Sequence, residues 1–275
     1  MKLSYGKIII LIFTSVCLVV FWDSSFMVPL KLFVVYIHEI SHAIAALLTG
    51  GDVTQLSFNI DESGYTTTRG GNFLLIVSSG YPGSILIGSL MLHAGVNGRF
   101  SFAISIVIGM VILLFTVFIP EQIEFNVLIM GILWAAVFII LPFSGQYLYR
   151  SMLFFMGSLT SLYAIFDLSD FFRGQIENTD AGIIAHHFFP GSAYEIYFSY
   201  FIAIFLSAFS IIIYIRFLIS TIYHYDQATM DHDVDLQSDI SNIESQPVLD
   251  VSKLHPDVIQ LLIKLQNQNK PQNLE

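Results

Sequence analysis

Cysteine occurs once in these 275 residues, at Cys17, which excludes an internal disulfide and any zinc cluster built on thiolates. Charge is scarce too. Charged side chains make up 12% of the chain against 55% hydrophobic ones, where an ordinary soluble domain carries about a quarter. No basic patch is present, so the pattern gives no sign of a nucleic-acid partner. The net charge of −10 is uneven: residues 221–275 hold nine of the 21 acidic residues and three of the 11 basic ones. What the chain has in abundance is apolar length. Runs able to cross a hydrocarbon core of about 30 Å recur at 8–22, 28–48, 72–94, 100–120, 125–142, 146–166 and 193–220.

These runs predict an all-α polytopic membrane protein of about six or seven transmembrane helices. The membrane domain spans residues 1–220, and 221–275 is an acidic, largely disordered soluble tail. Lys2 and Lys7 ahead of the first run resemble the start of a signal peptide, but Phe21-Trp22-Asp23 is a poor cleavage site. The run is read as a retained span with a cytoplasmic N-terminus. Within the tail, Val258, Leu261, Leu262 and Leu265 share one face of a short helix. It could dock on a partner or on the membrane core, or stand alone.

The second run carries the only concentrated chemistry. His38-Glu39-Ile40-Ser41-His42 lies inside an otherwise apolar helix-length stretch. On a helix the two imidazoles are about 40° apart around the axis and one turn apart along it, with Glu39 beside them. Two such imidazoles can hold one Zn²⁺ and leave positions open, while the adjoining carboxylate acts as base toward a water activated there. This is the His-Glu-x-x-His signature of zinc hydrolases. The bland alternative is a hydrogen-bonded histidine pair joining two helices. Against it stands the cost of a charged residue at mid-membrane, roughly 2.5–3.5 kcal/mol on insertion scales, which marks such residues as functional candidates.

Thr49-Gly50-Gly51 stops that helix. Val53 to Asn59 then alternates apolar and polar residues, and Tyr65-Thr66-Thr67-Thr68 follows a turn. The pattern predicts a β-hairpin directly after the metal helix. It is either an exposed loop or a strand edge able to hold an extended peptide by main-chain pairing. In the third run, Gly80, Pro82, Gly83 and Gly88 cluster with Ser78, Ser79, Ser84 and Ser89. Small residues let helices approach closely in lipid, so this face is expected to pack on the metal helix, with a kink at Pro82.

A site with two histidines usually needs a third protein ligand, commonly a carboxylate. Segment 167–192 supplies Asp167, Asp170, Arg173, Glu177 and Asp180. An aspartate near a helix start is also an ordinary cap. His186, His187 and Glu195 read as interfacial side chains.

The chain resembles the site-2 protease-like intramembrane zinc metallopeptidases, in their smaller branch with little beyond the membrane core. The resemblance rests on His38-Glu39-Ile40-Ser41-His42, Leu47-Leu48-Thr49-Gly50-Gly51, Thr68-Arg69-Gly70-Gly71, Ser79-Gly80-Tyr81-Pro82-Gly83-Ser84 and Asp180-Ala181, across about residues 30–215. It implies that His38 and His42 bind Zn²⁺, that Glu39 is general base and that an aspartate opening a later helix completes the ligands. Asp180 is the best match, although alanine follows it where the family often has glycine; Asp167 is the competing position. The resemblance also implies a substrate-holding hairpin and membrane-protein substrates cut within transmembrane segments. Two rival readings are a catalytically inactive relative that binds membrane partners and a transporter handling ions or protons.

Overall fold

The computed structural model describes residues 16, 20–21, 24–59, 63–98, 100–172, 176, 179–217, 219 and 255–268, without the side chains of 163–172, 262 and 265–268. All of the apolar run at 8–22 except residues 16, 20 and 21, the acidic segment 221–254 and the Asp167 side chain therefore lie outside the described residues. The chain divides into two compact units, Met1–Asp226 and Gln227–Glu275. The second is described only by its helix, Pro256–Gln268, which opens on Pro256 and Asp257, residues suited to a first helical turn.

Helix α1, Val28–Leu48, is the centre of the larger unit. Pro29 stands in its first turn and Thr49 closes it, the Thr49 hydroxyl donating to Ala45 O at 2.7 Å. Residues all around α1 are buried, including Phe33, Tyr36, Ile37 and Ile40. Phe33 packs on Trp134 and Phe138 at ring distances of 4.9 and 5.4 Å. The Tyr36 hydroxyl shares a 2.5 Å hydrogen bond with Thr116 Oγ1. A helix buried on every face belongs in the middle of a bundle.

The expected hairpin follows: β1, Asp52–Phe58, pairs antiparallel with β2, Gly64–Arg69. A third, two-residue strand, β3 (Gln122–Ile123), lies parallel to β1, giving the order β2-β1-β3. The register skips Thr54 between Val53 and Gln55. This bulge shifts the alternation by one residue, so that Val53, Leu56 and Phe58 are all buried. Phe58 meets Tyr36 at 5.3 Å, seating the sheet on α1. No described strand pairs with the outer edge of β2.

The run at 72–94, expected as one span kinked at Pro82, is two helices: α2, Phe73–Val77, and α3, Gly80–Asn97. The break falls at Ser78–Ser79, ahead of the proline. The Ser78 and Ser79 hydroxyls each donate at 2.6 Å, to Leu74 O and Ile76 O, and such local bonds compete with helix continuation. Pro82 sits in the first turn of α3, where its missing N–H removes no helical bond.

Helices α4 (Ser101–Val117), α5 (Phe125–Ile140), α6 (Gln146–Phe172), α7 (Asp180–Phe188) and α8 (Glu195–Phe217) complete the unit. Three described segments have both the length and the composition to cross a membrane: Ser25–Leu48, Phe125–Phe143 and Glu195–Phe217. The described residues thus give three spans where the apolar runs suggested six or seven. Helix α4, with 17 residues, is short. Helices α3 and α6 are diluted by small residues because they press backbone to backbone. A Cβ on Gly88 would strike Gly157 O, and one on Gly157 would strike Gly88 O. The small-residue face expected against α1 is therefore shared. Gly80 and Gly83 face α1, while Gly88 faces α6.

Candidate metal centre

His38 and His42 stand one turn apart on α1, 8% and 7% exposed, with ring centroids 4.8 Å apart and planes at 77°. His42 Nδ1 lies 2.7 Å from Ile76 O at the end of α2. With Nδ1 donating its proton to that carbonyl, the lone pair resides on Nε2. The first residue of α3 leaves room for both rings, since a Cβ on Gly80 would collide with His38 and His42. Tyr81 then covers His38 edge-on at 4.9 Å.

Asp180 arrives at this point from α7. Its Oδ2 is 3.3 Å from His38 Nε2 and its Oδ1 is 3.4 Å from His42 Nε2. The cap of α7 is Thr179: its hydroxyl accepts from Gly182 N at 3.3 Å and donates to Ile176 O at 2.7 Å. Asp180, the first helical residue, is thereby released from capping, and its carboxylate turns to the histidines. Burial alone would raise the Asp180 carboxyl, but positive charge on the His42 and His38 imidazoles, when they are protonated, outweighs it and holds the group below the ordinary carboxylate range. The anion is the form a metal requires.

One ring nitrogen from each of His38 and His42 and one carboxylate oxygen of Asp180 all lie within 4.8 Å of one another. A tetrahedral ion with bonds of about 2.0–2.1 Å sets neighbouring ligands about 3.3–3.4 Å apart. The two nitrogen–oxygen distances, one to each oxygen of the Asp180 carboxylate, are of that length. They exceed the roughly 2.7–2.9 Å of a charge-assisted hydrogen bond. The donor set of two imidazoles and one carboxylate therefore fits zinc.

Glu39, 4% exposed, is held by the hairpin. Thr66 of β2 donates to Glu39 Oε2 at 2.6 Å and lies 3.1 Å from Glu39 O. Beside it, a Cβ on Gly64 would stand 2.5 Å from Glu39 Oε1. His186 Nδ1 and Gly191 N both bind the Glu195 carboxylate at 2.8 Å, closing the turn between α7 and α8 away from the cluster. His187 packs its ring on Phe73 of α2 at 4.4 Å.

The structure thus brings His38, His42 and Asp180 together and places Glu39 on the same helix. Gly64, Thr66, Gly80 and the Ile76 carbonyl also shape the site, although the sequence pattern did not single out their roles. A glycine before Pro82 and a threonine in a β-rich run have many ordinary uses, and a backbone carbonyl leaves no mark in a sequence. Comparison with curated proteins and with solved structures gives no match. The family model described as Peptidase M50B-like matches residues 11–216, more than half of the chain. With three membrane-length apolar helices around it, this match bears out the resemblance to the site-2 protease-like group: the chain is a membrane protein that belongs to the peptidase M50B-like family.

Proposed function

We propose that this protein is a multi-pass intramembrane zinc metalloprotease that hydrolyses peptide bonds in or near the transmembrane segments of membrane proteins. The observation that carries the reading is the convergence of His38 and His42 with Asp180, more than 130 residues later, at 3.3 and 3.4 Å. In this reading those three side chains hold the ion and Glu39 is the general base. Bound zinc supplies a Lewis acid that polarises the scissile carbonyl and acidifies a water. Glu39 takes the proton of the attacking water and delivers it to the leaving amine. Its Oε2 is engaged by Thr66, which leaves Oε1 for that transfer.

A helical substrate hides its carbonyls in its own hydrogen bonds, so the segment must unwind before cleavage. The outer edge of β2 offers main-chain groups to such an extended strand. Residues 1–220 form the peptidase domain in this reading, and 221–275 an acidic tail whose helix Pro256–Gln268 serves a partner. An inactive relative or an ion transporter is not favoured, because the general base and its support are intact. The test is zinc analysis and cleavage of a model transmembrane peptide by the purified protein. About one zinc per chain with Glu39-dependent cleavage is expected. A metal-free, inactive wild type would overturn the reading.

A further inference from the structure

Glu39 is nearly fully buried, and a buried carboxylate must have a hydrogen-bond donor or bear a heavy penalty. Thr66 is the donor, at 2.6 Å from Oε2. The threonine does not belong to α1. It sits at the middle of β2, paired with Leu56 of β1, while Leu56 is itself paired with Ile123 of β3 and buried. The second strand residue toward Glu39 is Gly64, where any side chain would displace Oε1. Alternate residues of one strand point to one face, so Gly64 and Thr66 together form a cradle for the two oxygens of a single carboxylate. The same strand has no described neighbour on its outer edge.

We propose that Thr66 is a positioning residue that fixes the Glu39 carboxylate from the edge strand β2, so that the strand offered to substrate and the base that serves the reaction form one mechanical unit. This inference rests on the protease reading and deepens it. An extended peptide that pairs with β2 immobilises the strand along its length, and with it the hydroxyl on Glu39. A peptide that fails to pair leaves the base less well aimed. Selection would then act on turnover as well as on binding, and would favour segments able to become extended opposite residues 64–69.

The experiment compares Thr66→Val, which keeps shape and β-propensity but removes the donor, with Thr66→Ser, which keeps the donor. In cleavage of a model transmembrane peptide, Thr66→Val should lower kcat roughly ten- to hundredfold, the worth of one hydrogen bond to a charged group. KM should stay within about twofold, a loss confined to the transition state. Zinc content should be unchanged, and Thr66→Ser should recover most of the lost rate. A Thr66→Val enzyme with normal kcat, a loss confined to KM, or a Thr66→Ser variant as poor as Thr66→Val would each overturn the proposal.

A second readout needs no turnover. Thr66→Val should lower the thermal midpoint in the wild-type background and much less in Glu39→Ala, a double-mutant coupling through this one bond. Cleavage by the wild type without that coupling would overturn the role of Thr66 alone. Coupling in a wild type that neither binds zinc nor cleaves would overturn the protease reading, and the positioning role with it.

Discussion

Gly80→Ala adds a single methyl group to a residue that coordinates nothing, and it should cost the protein its metal. An ideal Cβ at this position lies 2.6 Å from His42 Nε2 and closer still to the His38 ring, whereas ordinary contact begins near 3.4 Å. Either the imidazoles or the start of α3 must therefore retreat, by about 0.8 Å at His42 and by more at His38, several times the roughly 0.2 Å tolerance of a zinc–ligand bond. Both rings are buried and walled in by Tyr81, Ile76 and Asp180, so the strain has few outlets. Changes beside a metal site typically cost ten- to a hundredfold in affinity, and a fall of about a hundredfold is expected. Overpacking should also cost about 1–3 kcal/mol of stability. Competition with a chromophoric zinc chelator in detergent reads the affinity, and circular dichroism verifies the fold. Gly83→Ala is the control, because its Cβ meets Ser41 and no imidazole. A folded Gly80→Ala protein with wild-type zinc affinity would refute the reasoning.

Other perturbations separate the roles of neighbouring groups. Glu39→Gln should retain zinc while abolishing peptide cleavage, and unchanged turnover would remove Glu39 as base. Asp180→Asn should weaken zinc retention at least tenfold and more than Asp167→Asn does; the reverse order would move the third ligand to Asp167. Thr179→Ala, which removes the α7 cap, should lower stability by about 1 kcal/mol and loosen zinc through Asp180. A midpoint no different from wild type in thermal unfolding would argue against that linkage. Treatment with a chelator should stop cleavage and zinc should restore it, whereas activity that persists after removal of all metal would exclude a zinc peptidase.

Much of the site was legible because its chemistry is local. His38, Glu39 and His42 lie within one and a half turns, and ionisable residues in an apolar helix have few structural uses. The hairpin was legible from alternation, though the Thr54 bulge was not, because Val53 and Leu56 share a buried face only once an extra residue interrupts the ladder. Asp180 needed the resemblance to favour it among the nearby acids. Nothing in Asn178-Thr179-Asp180 by itself says that Thr179 takes the cap and frees its neighbour. The count of six or seven spans is not confirmed by the described residues, of which three segments meet both length and composition. Hydropathy assumes that a crossing helix faces lipid, whereas α3 and α6 face each other and replace bulky side chains with glycine and serine.

The interruption between α2 and α3 has one more effect. In an unbroken helix through residues 73–97 the Ile76 carbonyl would be spent on the amide four positions ahead, at Gly80. Because the chain turns at Ser78 and Ser79, that oxygen instead accepts from the Ser79 amide and hydroxyl and also lies 2.7 Å from His42 Nδ1, where it orients an imidazole on another helix. Splicing the two pieces into one rod, by replacing both serines with alanine, would withdraw this acceptor and leave the histidine ring free to rotate or to exchange its tautomer. The gap in the secondary structure therefore acts as the orienting support for His42, and restoring local regularity there would cost the ring its defined proton.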